Sequence, residues 1–329
     1  MDSKLMDRYH RHLNYLRVSI TDRCNLRCLY CIPDGIFPML SHEEILTYEE
    51  ILRIVKTGSK MGISKVRITG GEPLVRKGAC DFLSRLSKIK GLLDISLTTN
   101  GVLLEKNIEQ IKAAGIHRIN VSLDTLQPKK YKQITRMNMF KRVWDGIMAA
   151  HAAGFSPIKL NVVVMKGIND DEIEDLARLT FTYPFHVRFI EYMPIGPESI
   201  ESGRILSGEG ILKRLSVLGE LLPIENIRTD GPARRYRYKG APGEIGLIFA
   251  MSNPFCSACN RLRLTASGQI RPCLLSDEQI DLKGPMRNGC TDEELAGLFI
   301  EAARTKKRRH HLGDKNAHRL NGRMSAIGG

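Results

Sequence analysis

Two groups of cysteines carry the most specific chemistry in this 329-residue sequence. Cys24, Cys28 and Cys31 are spaced C-x3-C-x2-C, directly after an apolar run at 16–20. Cys256, Cys259 and Cys273 are spaced C-x2-C-x13-C. Three thiolates aimed at one point suit an iron–sulfur cubane with one iron left for something other than protein. Structural metal sites close their fourth position, so a vacancy repeated in both groups points to chemistry.

Other readings fit the first group less well. Disulfides are disfavoured because the chain shows no secretory leader and intracellular thiols stay reduced. Zinc usually takes two C-x2-C knuckles, whereas the first spacing here is x3 and aromatic Tyr30 stands beside Cys31. For the second group, a zinc knuckle closed by a distant histidine stays open on spacing alone. Cys80 and Cys290 stand apart and read as packing residues.

The elements that must position these groups alternate regularly. Apolar runs recur at 16–21, 65–69, 94–99, 118–123, 158–164 and 187–191, separated by helical periodicity at 48–61, 80–90, 104–114, 141–153 and 171–180. Strands alternating with helices predict right-handed βαβ units and a parallel sheet. The count is too small for a closed eight-stranded barrel and fits a partial (β/α)6 barrel.

Reactive groups in such folds sit at the C-terminal ends of strands. The first strand runs into the cysteine loop, the second into Gly70-Gly71-Glu72-Pro73, the third into Thr98-Thr99-Asn100-Gly101, the fourth into Ser122-Leu-Asp124, and the sixth into Glu191-Tyr192-Met193. Glycines allow close backbone approach to a ligand. Taken alone, Gly70–Pro73 would be an ordinary turn with Pro73 opening a helix. Arg17, Lys65, Arg67, Lys159 and Arg188 all fall on predicted strands. A buried cation must be paired or must face a polar cavity, and a triphosphate would neutralise several at once.

Beyond about residue 195 the pattern breaks. A short helix is expected at 211–218, strands at 234–239 and 245–250, and a hairpin turning at Ser267-Gly268 that folds Cys273 back toward Cys256 and Cys259. Arg261 and Arg263 alternate on one face of that hairpin and suit phosphate oxygens. The expected organisation is a lead-in at 1–15, a barrel at 16–195, a second-cluster and substrate region at 196–305, and a basic tail at 306–329. The run Lys306–Arg309 reads as solvated. The terminal Gly328-Gly329 could thread into a narrow site closed to side chains.

The formal charge of +14 favours a polyanionic partner. A single Trp and the lack of interleaved aromatics argue against a single-strand nucleic-acid platform, leaving a nucleotide. No apolar run reaches membrane-spanning length, so a cytoplasmic protein is expected.

The cysteine motif with Tyr30 before Cys31, followed by Gly-Gly-Glu-Pro, resembles that of radical S-adenosylmethionine (SAM) enzymes. With Cys256-Ser-Ala-Cys259-Asn-Arg261-Leu-Arg263-Leu-Thr-Ala-Ser-Gly-Gln-Ile-Arg-Pro-Cys273 and the Gly-Gly terminus, the whole chain resembles the molybdenum cofactor biosynthesis protein A family of GTP 3′,8-cyclases. The resemblance implies two [4Fe–4S] clusters, the first binding SAM and the second, on Cys256, Cys259 and Cys273, binding guanine. It implies SAM contacts at Tyr30, Gly71, Glu72, Ser122 and Met193. It implies GTP contacts at Arg17, Arg67, Thr98, Lys159, Arg261, Leu262 and Arg263, with Lys65 and Arg188 as further phosphate or substrate contacts. Arg17, Arg261, Arg263, Gly328 and Gly329 would assist catalysis. It also implies an electron donor, and a cyclic pyranopterin monophosphate synthase that takes up the product; a monomer or a homodimer fits equally. The rivals are a radical SAM enzyme acting on a peptide and a basic zinc-binding RNA-interaction protein.

Overall fold

A computed structural model describes residues 4–32, 39–195, 202–225, 231–312, 320 and 324–327. Six strands fall where the apolar runs predict them: β1 (Tyr15–Ser19), β2 (Lys65–Thr69), β3 (Asp94–Thr99), β4 (Arg118–Ser122), β5 (Ile158–Val164) and β6 (His186–Glu191). They pair in sequence order, each parallel to the next. Between them run α1 (Tyr48–Lys60), α2 (Ala79–Ser87), α3 (Leu104–Ala113), α4 (Pro128–Thr135), α5 (Phe140–Ala152) and α6 (Ile173–Thr182). The helices form for ordinary reasons. Thr47 and Glu50 close a capping box on α1, whose Ile51, Ile54, Val55 and Gly58 make the buried face.

The second half of the chain extends both edges of this sheet. After α7 (Gly208–Leu215) come β7 (Leu221–Ile224), β8 (Arg234–Tyr238) and β9 (Glu244–Ile248), and β9 joins β6 in parallel. Then β10 (Arg261–Leu264) returns across the molecule to pair in parallel with β1, followed by β11 (Gln269–Arg271) and β12 (Ile280–Asp281). The described strands form one sheet in the order β12-β11-β10-β1-β2-β3-β4-β5-β6-β9-β8-β7. The parallel core therefore gains a strand at each edge from a region expected only to append to it, and among the described strands no hydrogen-bonded pair closes the ring. The chain continues through α8 (Lys283–Arg287) and α9 (Asp292–Thr305), and α10 (Met324–Ile327) ends the described residues. Helix α9 has its own Thr291/Glu294 capping box and buries Leu295, Phe299, Ala302 and Ala303, packing against α1.

On β1 and β2 the pleat sends Leu16, Val18, Val66 and Ile68 to the fully buried helix side. Tyr15, Arg17, Lys65 and Arg67 consequently share the opposite face. That face is the wall of the candidate site.

Candidate functional site

A cavity of about 280 Å³ opens on this face at the C-terminal ends of the strands. Cys24, Cys28 and Cys31 line one part of it and Cys256, Cys259 and Cys273 another. Arg17, Tyr30, Arg67, Gly71, Thr98, Ser122, Arg188, Met193, Arg261 and Arg263 are also on its lining. Lys65, Glu72, Lys159 and Leu262 are not among its described lining residues. Gly328 and Gly329 lie outside the described residues.

Strand register explains the cations. Arg263, Arg17 and Arg67 are direct partners on β10, β1 and β2, and Ser96 of β3 continues the row. Adjacent like charges in such a row disfavour one another, and burial leaves them little solvent screening. Burial and the neighbouring arginines pull Arg17 well below the usual guanidinium range, and burial with Arg261 brings Arg263 to about 9. An anion in the cavity would relieve this crowding of like charge. Lys65 answers to a different partner. Its Nζ lies 2.9 Å from Asp94, two residues nearer the N-terminal ends of the strands. Lys159 is buried on β5 between Asn120 and His186 in register, and Arg188 reaches Asn120 Oδ1 at 3.5 Å.

The first cysteine loop is shaped by its neighbours. A Cβ on Gly71 would fall 2.4 Å from the Arg23 carbonyl and 2.5 Å from that of Asp22, and one on Gly70 2.6 Å from that of Thr21. The close backbone approach that the glycines permit is thus made to the loop leading into Cys24. Glu72 holds the same junction: it accepts from Leu74 N, Thr99 Oγ1 and Asn100 N at 3.0, 2.8 and 2.6 Å, and is fully buried. Burial outweighs those bonds and raises its carboxyl to about 7. Tyr30 donates to Asp124 Oδ2 at 2.7 Å, and Asp124, which also accepts from Val163 N, is raised to about 6 by burial. Burial likewise pushes the Cys28 and Cys31 thiols up, with neighbouring cysteines and Asp124 adding to the shift.

The second group differs. Burial raises Cys256, whereas at Cys259 the cations Arg261 and Lys306 overcome burial and bring the thiol to about 6. Lys306 was expected in a solvated run; instead it is 3% exposed, with Nζ against Cys259 Sγ. Packing of α9 against the sheet carries it inward. Among the described residues no three or more His, Cys, Asp or Glu side chains gather as a single bound ion requires. The zinc knuckle closed by histidine has no such set there, and His310 turns Nε2 to the Ala250 carbonyl at 2.9 Å. The donor chemistry fits iron–sulfur clusters: three thiols per group, each group on the wall of one cavity.

Sequence reasoning missed several residues here. Tyr15 and Tyr131, like the expected contact Thr98, bring buried hydroxyls to the cavity lining that have no partner among the described residues, and neither tyrosine was singled out. Tyr15 could have been found by counting two back from Arg17 on the same strand face. Arg11, in the supposed lead-in, is buried and donates to the Cys256 carbonyl at 2.6 Å; nothing local in the sequence signals that.

Comparison with known proteins agrees with this geometry. The Radical SAM superfamily model matches residues 18–180, and the Molybdenum Cofactor Synthesis C model matches 185–312. A GTP 3′,8-cyclase of Heliobacterium modesticaldum is 48% identical over 327 residues, spanning 99% of this chain and 100% of the relative. Another from Moorella thermoacetica is 48% identical over 325 residues, with the same shares. Among solved structures, Streptococcus suis SuiB bound to S-adenosylmethionine superposes with a TM-score of 0.60 at 16% identity, over 82% of this chain and 63% of that one. Native anSMEcpe with bound AdoMet gives 0.55 at 15% identity, over 91% and 82%. These two show the fold. With relatives this similar from end to end, the chain belongs to the GTP 3′,8-cyclase family of radical SAM proteins.

Proposed function

We propose that this chain is a GTP 3′,8-cyclase, a lyase that uses SAM and two [4Fe–4S] clusters to form 3′,8-cyclo-7,8-dihydro-GTP. The observation that carries the reading is the shared cavity: both cysteine groups and the Arg263–Arg17–Arg67 row line it. Cys24, Cys28 and Cys31 would hold one cluster, and Cys256, Cys259 and Cys273 the other. When bound, the first cluster with SAM supplies the one-electron chemistry that removes the C3′ hydrogen of GTP.

The protein's own task is orientation. Arg17, Arg67, Arg261 and Arg263 grip the triphosphate, with Arg188 on the same lining. Leu262 sets the alternation that points Arg261 and Arg263 the same way. Thr98 Oγ1, buried without a partner among the described residues, is available to the nucleotide. Lys65 and Lys159 lie off the lining and act through their neighbours. Tyr30, Gly71, Ser122 and Met193 form the SAM side, where Glu72 shapes the loop. Positioning C3′ against C8 makes ring closure an intramolecular event. Ile32, Ile190, Ile248 and Phe255 on the lining help exclude water. Met324 also lines the cavity and Ile327 is buried against Ile195, Leu275 and Leu320. This supports entry of Gly328 and Gly329 to assist turnover; deleting both should cut turnover sharply with both clusters intact.

The product suits a cyclic pyranopterin monophosphate synthase as the next enzyme, and an electron donor must feed the first cluster. An anaerobic assay with GTP, SAM and a reductant tests the reading. Deoxyadenosine and the cyclised nucleotide should appear together; deoxyadenosine with GTP unconsumed would reject it.

A further inference from the structure

Behind the second cysteine group sits a pair of buried cations that the reaction just described does not use. Lys306 follows α9 directly and is the residue at which the helix ends. An ammonium has three donors and no acceptor. Three acceptors surround this one: Cys259 Sγ at 3.5 Å, the Arg261 carbonyl at 3.0 Å and the Pro272 carbonyl at 2.5 Å. Pro272 precedes Cys273, so one side chain joins both arms of the cysteine hairpin. Arg11 secures the third cysteine. It donates to the carbonyls of Cys256 (2.6 Å), Lys307 (2.7 Å) and Arg308 (3.2 Å), while Asp7 holds its Nε at 2.5 Å. The same cysteines wall a second cavity of about 370 Å³, lined also by Arg11, Lys306 and Lys307.

We propose that Lys306 is a positioning residue of the second cysteine group. Its ammonium donates to the Cys259 sulfur and holds a cluster bound there at a higher reduction potential than the three thiolates alone would give. Charge-assisted donation to a ligand sulfur stabilises the more negative, reduced state, and outer-shell donors of this kind tune iron–sulfur potentials. Burial strengthens the effect, because an ammonium only 3% exposed is little screened by solvent. The same contact fixes the Arg261 carbonyl, and with it the start of the strand that carries Arg261 and Arg263. The inference rests on the reading that the second group holds an iron–sulfur cluster.

The test uses the full chain with C24A, C28A and C31A, so that only the second group can load. Lys306→Met, Lys306→Gln and Lys306→Arg are then compared with this parent for iron and sulfide per chain and for midpoint potential by mediated anaerobic titration. Met and Gln should lower the reduced-to-oxidised ratio about tenfold at the parent's midpoint, equivalent to about 59 mV for one electron. Arg should keep the ratio within about twofold. Gln stands in if the Met variant fails to fold. Loss of iron in Met and Gln with retention in Arg also supports the charge-dependent role. Normal loading with unchanged potential in Met and Gln overturns the inference alone, as does loss of iron in all three. A parent without iron overturns the cluster reading and this inference with it.

Discussion

Cys28 and Cys31 stand beside Asp124, which Tyr30 bridges, and burial pushes both thiols up. Cys259, on another wall of the same cavity, stands between Arg261 and Lys306 and is pulled down to about 6. Neighbouring charge therefore acts in opposite senses at these cysteines: Asp124 adds to burial at Cys28 and Cys31, whereas Arg261 and Lys306 outweigh it at Cys259. A negative setting suits a cationic ligand such as the sulfonium of SAM, and a positive one suits a polyanion such as GTP. Similar spacing of cysteines can thus serve dissimilar partners, with the choice made by residues outside the motif.

The comparison breaks most visibly at the cysteines. Cys28→Ala should abolish deoxyadenosine formation completely, whereas Cys259→Ala should leave it measurable while the cyclised nucleotide disappears. Equal loss of deoxyadenosine in both, measured by chromatography, would show that the groups do not divide the work.

The acid side sharpens it through pH. Glu72 has an ordinary value of 4.5 and is raised to about 7 in the folded chain. The folded state binds the proton more tightly, so this contribution is complete below 4.5 and is lost as pH rises toward 7. About 3 kcal/mol is at stake. Thermal melts of the cluster-free protein should show this decline, and Glu72→Gln should flatten it.

On the cationic side, Arg17→Ala should raise the KM for GTP about thirtyfold, near 2 kcal/mol, the scale of a charge-assisted hydrogen bond lost. SAM binding should be unchanged by equilibrium dialysis. The smallest effect is expected at Tyr30→Phe, which removes one donor from buried Asp124. About 1 kcal/mol, or roughly 2 °C in Tm, should be lost, with iron at the second group unaffected.

Much of this was legible in the chain. Period-two runs placed β1 to β6 within a residue or two, and both cysteine groups and the Arg261/Arg263 alternation were readable from spacing. Local sequence does not name a strand's partner. The parallel seating of β10 on β1 and of β9 on β6 was therefore invisible, and with it the row Arg263–Arg17–Arg67. Helix α9 announces itself through Thr291 and Glu294, a signal that went unread. The burial of Lys306 could not be inferred, because a basic run looks the same whether solvated or folded under.

The seating of β1 between β2 and β10 has a consequence for synthesis. At about 5–20 residues per second, tens of seconds separate the emergence of Tyr15 from that of Arg261. Throughout that interval one edge of β1 offers unanswered backbone donors and acceptors, an invitation to pairing between nascent chains. A message truncated before β10 would yield a polypeptide with that edge permanently bare, prone to clumping before any cofactor chemistry arises.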